Sequence, residues 1–198
     1  MKPDKPVARR GDYTFEQIEH AEGAALIREH HYAKGCSKTG VMYAAKSKDG
    51  RLVAVAQWLP PTKVCAQSVL PDFDLWKRVT SLTRLVVVPG EPQNAASMLI
   101  AASLKWLPTL RTEAGQLKWL AAVTFADDSE GHTGSIYKAT NWIYKGKTKP
   151  YPRWVTQDGA QVSTKAGPKT RTAEEMRALG YEISGHFWKH KFVYYFRA

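Results

Sequence analysis

Hydrophobic positions along the chain change period several times, and each change marks an expected element. From Thr14 the run TFEQIEHAEGAALIREHHY places Ile18, Ala21, Ala25 and Ile27 on one side of a helix, with Thr14 and Gln17 as a capping box and Gly35 as the stop. Val41, Tyr43 and Ala45 then alternate, and after Asp49-Gly50 come Leu52, Val53, Ala54, Val55 and Ala56. That pattern is a β-hairpin, with a type I′ turn as the expected connection. An irregular stretch follows from Pro60-Pro61 to about Lys77 and holds Cys65, Phe73 and Trp76; connections this long are usually functional. SLTRLVVV reads as a strand, and EPQNAASMLIAASLKWL as a helix with Asn94 at its N-cap. KWLAAVTFA reads as a strand buried on both faces. HTGSIYKATN gives a short helix and WIYKGKTK a strand, and Asp158-Gly159 joins RWVTQ to AQVST. Thr172 with Glu175 forms a capping box before TAEEMRAL, which Gly180 ends. HFWKHKFVYYFR closes the chain as one strand, His186 and His190 sharing a face.

The middle of this order is β-α-β-α-β behind an antiparallel hairpin. The expected fold class is α/β, an α+β mixed sheet, in a single domain over residues 1–198. Residues 1–12 are expected to be a loose basic arm, and residues 145–171 an inserted basic hairpin.

Composition narrows the function classes. The 198 residues carry 29 Lys and Arg against 18 Asp and Glu, a net charge of +11, together with seven Trp, nine Tyr and six Phe. Cations for phosphate and flat rings for bases are what a nucleic-acid binder needs. Between Lys138 and Arg171 there are eight basic residues and one acid, Asp158, interleaved with Trp142, Tyr144, Tyr151 and Trp154. Lys145, Lys147, Lys149, Arg153 and Trp142 are therefore the expected DNA contacts. The longest run of apolar and small residues, 95–104, is about half of what a bilayer requires, so no membrane partner is expected. No secretory signal is visible, and two cysteines make no disulfide framework, which places the expected location in a reducing cytoplasm.

Several positions carry candidate chemistry. Asp127 and Asp128 stand where a buried strand ends, the place where open α/β sheets bind ligands. Beyond them Thr133, Tyr137 and Asn141 are spaced four apart for one helix face, with His132 beside it. Asn94 to Ser97 form a helix N-terminus suited to phosphate, Ser97 adding a hydroxyl donor, although no Walker or dinucleotide glycine pattern is present. Arg84 interrupts an apolar strand, so an edge position or an acid or phosphate partner is expected for it. His31 and Tyr32 follow the first helix. His31 and the pair His186/His190 are minor metal candidates, and Cys36 is a minor nucleophile candidate.

Four segments together carry a resemblance: RLVVV from Arg84, PQNAAS from Pro92, FADDSEGHTGSIYKATNWIYKG from Phe125, and KHK from Lys189. They resemble the Mom family of phage DNA-modification proteins, a divergent branch of the GCN5-related N-acetyltransferase (GNAT) fold. The resemblance covers roughly residues 29–154 and the last strand. It implies a GNAT-like fold with splayed central parallel strands and helices on both faces. It also implies conversion of adenine N6 in double-stranded DNA to N6-(methylcarbamoyl)adenine, which protects phage DNA from host restriction, in the cytoplasm of the bacterial host.

On that resemblance acyl-CoA, with acetyl-CoA first, would lie against Arg84, Leu85, Val86, Asn94, Ser97 and Asn141. Asp127 would accept a proton from the N6 amine and Tyr137 would donate one, with His31 or His132 as the alternative base. The adenine would be flipped from the duplex onto Tyr32 or Trp142. No metal is assigned; the histidines permit an iron without pointing to one, His31 being the weak alternative. Two other readings fit the residues: an ordinary GNAT N-acetyltransferase acting on a protein or small amine, and a non-catalytic DNA-binding protein on the same fold.

Overall fold

The computed structural model describes residues 7–72, 74–167 and 169–197. In chain order the elements are β1 (Tyr13–Ile18), α1 (His20–His30), β2 (Val41–Ser47), β3 (Leu52–Leu59), α2 (Lys63–Gln67), β4 (Val79–Val87), α3 (Ala95–Trp106), β5 (Ala121–Asp127) and α4 (Ser135–Ala139). There follow β6 (Ile143–Lys147), β7 (Tyr151–Val155), β8 (Gln161–Val162), β9 (Lys165–Ala166), β10 (Lys169–Thr170), α5 (Ala173–Ala178), β11 (Glu182–Phe187) and β12 (Lys189–Tyr195). A seven-stranded mixed sheet has the order β1-β2-β3-β4-β5-β12-β6; β11-β7-β8 and β9-β10 make two small sheets. The chain divides into two compact units, residues 1–124, 135–144 and 192–198 in the first, and residues 125–134 and 145–191 in the second.

In the first unit, β1 to β4 are antiparallel and β4 pairs in parallel with β5. Side-chain alternation on β2 sends its residues to opposite faces. Ala24 and Ile27 of α1 pack with Met42, Ala44, Val55 and Val86 on one face. Tyr43, between Met42 and Ala44, stacks on Trp106 of α3 on the other, with ring centroids 4.6 Å apart. Helices thus cover both faces, as the βαβ order requires. Gly23 of α1 is needed for this packing, since a Cβ there would lie 2.9 Å from the Met42 side chain. The β5 run Ala121 to Thr124 is fully buried, as its unbroken apolar pattern predicts.

The second unit has a core around Trp154 and Met176, which are 2% and 0% exposed. The Thr172–Glu175 capping box forms as expected, opening α5.

Several sequence expectations are corrected. Residues 14–18 are strand, not helix: Tyr13 to Ile18 pair with Met42 to Ser47 as the edge of the sheet, and the helix begins only at His20. The alternation of Tyr13 and Phe15 with polar neighbours serves a half-buried strand, and a waiting partner strand outweighs the local capping signal. The Asp49-Gly50 connection is not type I′, because only Gly50 takes a positive φ (+82°); the same holds at Asp158-Gly159. The long stretch after Pro60 contains α2 and a 3-10 turn, while Phe73 lies outside the described residues. The closing aromatic run is two strands, β11 and β12, with Trp188 between them, so His186 and His190 do not share a strand face. The basic stretch 145–171 is not one hairpin: it runs through β6, β7, β8, β9 and β10 in three sheets. Residues 1–6 of the expected arm lie outside the described residues, and Ala8 is tied to Asn94 through both its backbone N–H and its C=O.

Candidate functional site

In the first unit the decisive feature is where strand pairing stops. β4 and β5 are in register from Val79↔Ala121 to Leu82↔Thr124. Beyond Leu82, β4 keeps its partner on the β3 side, through Arg84↔Gln57 to Val87↔Ala54. The other edge of residues 83–87 has no ladder partner among the described residues.

Tyr137 of α4 stands at this point. Its phenol is hydrogen-bonded to Thr124, whose own hydroxyl donates to the Leu82 carbonyl at 3.1 Å. Tyr137 is 8% exposed and packs on Trp142 and Phe192, with ring centroids 5.7 and 5.2 Å away. Burial pushes its phenol above the ordinary value, against the opposing effect of the hydrogen bond with Thr124, so the group is a weaker acid than a free tyrosine.

Other expected members of this group are placed differently. Arg84 is not beside an acid: it lies on the stretch of β4 that is unpaired on the β5 side, where its Nε donates to the Gly35 carbonyl at 2.7 Å and Nη1 to the Thr83 carbonyl at 2.7 Å. Val86 is 4% exposed in the core under α1, while Leu85 is half-buried. Asn94 makes no side-chain cap; its amide holds Ala8, at 2.9 and 2.7 Å. The Ser97 hydroxyl donates to the Asn94 carbonyl at 2.9 Å, so its proton serves the helix start. α4 spans only Ser135–Ala139, leaving Thr133 and Asn141 outside it, and Asn141 takes a left-handed φ of +63°. The three-residue face expected for that helix therefore does not exist.

Trp142 is also corrected. It is 5% exposed and stacked on Trp58 at 6.4 Å, an arrangement that offers no surface to DNA. The indole N–H groups of both tryptophans are buried without an acceptor among the described residues. His31 is 8% exposed, and its Nδ1 accepts from the Ala33 N–H at 3.0 Å. Tyr32 lies over it, with centroids 4.2 Å apart and half of the tyrosine exposed.

The second unit holds a dense ionic network around Asp127. Its Oδ1 accepts from the Tyr151 hydroxyl, from Ser129 Oγ at 2.8 Å and from the Ser129 N–H at 3.1 Å. Its Oδ2 lies 3.2 Å from Lys189 Nζ, and the carboxylate is 12% exposed. Burial pushes this carboxyl up, but Tyr151, Ser129 and the Lys189 charge together outweigh it and hold it below the usual Asp value. Asp127 is therefore an anion at neutral pH.

Its neighbours extend the network. His190 Nε2 is 3.8 Å from Asp128 Oδ1. Arg153 donates to the Ser129 carbonyl at 2.9 Å and to Gln161 at 3.1 Å, and lies 3.7 Å from Glu130. Arg153 thus organises the unit and is not a free phosphate contact, contrary to expectation. Lys145, Lys147 and Lys149 are exposed, with Lys147 Nζ 5.0 Å from the centre of the Trp188 ring. His132 is exposed at the start of the following segment. Tyr151 as an Asp127 partner was not readable in the sequence, because the contact joins residues 24 positions apart through tertiary structure alone. Among the described residues no three His, Cys, Asp or Glu side chains gather with metal-ligand spacing. No helix among them is long and apolar enough to cross a membrane.

The profile of the Mom protein family matches residues 12–197. The chain belongs to the Mom family. Its fold is that of the GNAT acetyltransferases. An agmatine N-acetyltransferase variant superposes with a TM-score of 0.55 at 11% identity, over 93% of this chain and 100% of that one. A GNAT family acetyltransferase from Elizabethkingia anophelis, solved with acetyl-CoA bound, gives 0.54 at 11% identity, over 93% and 99% of the two chains. The spermidine N-acetyltransferase of Vibrio cholerae, solved with CoA and spermine, gives 0.52 at 8%, over 93% and 96%. At such identities the likeness concerns the fold. A comparison with curated protein sequences finds no match.

Proposed function

We propose that this Mom protein modifies adenine in double-stranded DNA, converting the N6 amine to N6-(methylcarbamoyl)adenine, and that the modification shields phage DNA from host restriction. The observation that carries this reading is the family match over residues 12–197. The net charge of +11 and the exposed Lys145, Lys147 and Lys149 support a polyanionic partner.

An acyl-CoA fits the first unit. The unpaired edge of residues 83–87 suits a ligand with amide groups, and Leu85 is half-buried beside it. The first-turn amides of α3 suit phosphate. Bound there, an acyl-CoA would supply an activated acyl carbon and a thiolate leaving group. Tyr137, whose phenol is protonated at neutral pH, would donate the proton that such a leaving group takes up. Asp127, ionised at neutral pH, would accept a proton from the N6 amine, whose lone pair is delocalised into the purine ring. Tyr32, half-exposed and backed by His31, is the ring onto which a flipped adenine stacks. The methylcarbamoyl group is joined through its CH2 carbon, so a plain acetyl transfer does not complete the product.

The test is expression in a bacterium followed by nucleoside mass spectrometry of its DNA. The expected result is a deoxyadenosine in which one N6 hydrogen is replaced by CH2–CO–NH2, absent or at least about 100-fold reduced with Tyr137→Phe. Unmodified deoxyadenosine in cells holding folded protein refutes the reading. DNA affinity gives a second test. Replacing Lys145, Lys147 and Lys149 by Ala should reduce the slope of log affinity against log salt concentration by about 2–3, at roughly 0.9 for each phosphate that is no longer neutralised. An unchanged slope would place the DNA elsewhere on the protein.

A further inference from the structure

We propose that the cleft between β1, β2 and the last turns of α3 is a nucleotide-binding pocket, with Arg10 and Lys105 for a phosphate and the half-buried rings of Phe15 and Trp106 for a base. The cleft measures about 440 Å³ and is lined by Arg10, Tyr13, Phe15, Tyr43, Lys105 and Trp106. A smaller lobe of about 160 Å³ shares Arg10, Phe15 and Lys105 and adds Met98. The larger lobe lies within the range of small-ligand sites.

Four rings surround one space. Tyr43 and Trp106 are stacked at 4.6 Å with planes 17° apart, and Tyr13 meets Phe15 edge-on at 6.4 Å. The two phenols are already committed: Tyr13 donates to Glu91 Oε2 at 2.9 Å and Tyr43 to the Phe15 carbonyl at 3.4 Å. Tyr13 and Tyr43 are buried, Tyr43 under Trp106, so they form the floor of the cleft, and the half-buried rings of Phe15 and Trp106 are the apolar surface on which a base of any identity can stack.

The cations are unspent. Arg10 and Lys105 are exposed, and neither lies within ion-pair distance of a carboxylate among the described residues. The acids nearby serve other partners. Glu91 takes Arg51 at 2.8 Å as well as Tyr13. Asp12 takes the Arg9 N–H at 2.7 Å and Lys48 at 3.7 Å. Glu16 takes Lys46 at 2.9 Å. Lys105 in the last turn also complements the helix dipole, but Arg10 comes from the segment before β1 and has no such role. A guanidinium and an ammonium at the mouth of an aromatic cleft match a phosphate attached to a base. The cleft is distinct from the α3 N-terminus, since the helix runs about 16 Å between its first residue and Trp106.

Calorimetry on the full chain tests this with 2′-deoxyadenosine 5′-monophosphate, deoxyadenosine, inorganic phosphate and a short single-stranded oligodeoxynucleotide. The monophosphate should bind the parent at least tenfold more tightly than either deoxyadenosine or phosphate alone. The double variant Arg10→Ala/Lys105→Ala should lose at least tenfold, and a control with the same charge change, Lys38→Ala/Lys118→Ala, should not. Tighter binding of the oligonucleotide than of the monophosphate assigns the pocket to a DNA strand; equal or weaker binding assigns it to a free nucleotide. Equal affinity of parent and double variant, equal loss in the control, or phosphate binding as well as the monophosphate each overturn the proposal. Because these readouts involve no DNA modification, they are independent of the function proposed above.

Discussion

Trp142→Ala should destabilise the protein by about 3–5 kcal/mol, the cost of emptying a large aromatic site in a packed core. For a chain of this size that lowers the melting temperature by roughly 10 °C. The expectation follows from burial: Trp142 is 5% exposed and touches Trp58, Tyr137 and Tyr194. A residue that served mainly as a DNA contact would show the opposite pattern, with weak DNA binding and an unchanged melting temperature. Thermal denaturation followed by circular dichroism decides between them. Loss of Trp142 also removes the wall against which Tyr137 is held, so modification should fall together with stability. Trp142→Phe, which keeps most of the packing, should recover most of the melting temperature.

Asp127→Asn should lower DNA modification by about 100-fold while DNA binding survives, because the amide keeps the shape but cannot take a proton. Its effect on stability should depend on pH. The folded-state carboxyl lies below its unfolded value, with burial opposed by Tyr151, Ser129 and Lys189. The charged form therefore contributes stability that is present above the unfolded pKa of about 3.9 and is lost as pH falls through the folded value. The difference in stability between parent and variant should be constant from about pH 5 to neutrality and shrink below about pH 4. Denaturation at a series of pH values measures this directly. A difference that does not change on acidification would mean that the bonds from Tyr151 and Ser129 and the Lys189 charge together give the ionised form no net advantage in the folded state. Full modification by Asp127→Asn would move the proton acceptor to another group, His31 being the next candidate by position after α1.

Much of the fold is legible in residue patterns. The buried run Ala121 to Thr124, the small-residue helix after Asn94 and the capping box at Thr172 each follow from local chemistry that one segment contains by itself. The family resemblance is legible for a similar reason: the Gly131 to Trp142 string is short and specific. Residues 14–18 carry a helix-start signal yet form a strand, because capping signals are local, whereas the strand exists only through pairing with Met42 to Ser47.

The roles of individual site residues belong to the tertiary structure. Arg84, Asn94 and Arg153 carry donors that a sequence offers to any anion, yet the folded chain directs them to Gly35, Ala8 and Ser129. A side chain's availability depends on which acceptors the fold brings within about 3 Å, and those acceptors come from distant positions. The same holds for the lowered pKa of Asp127, set against burial by Tyr151, Ser129 and Lys189, and for the raised pKa of Tyr137, set by burial. Composition and motif determined that this is a basic, aromatic-rich α/β protein of the Mom type. Which of its polar groups remain free for chemistry was decided only by long-range packing, because burial and hydrogen-bond partnership are properties of the assembled chain.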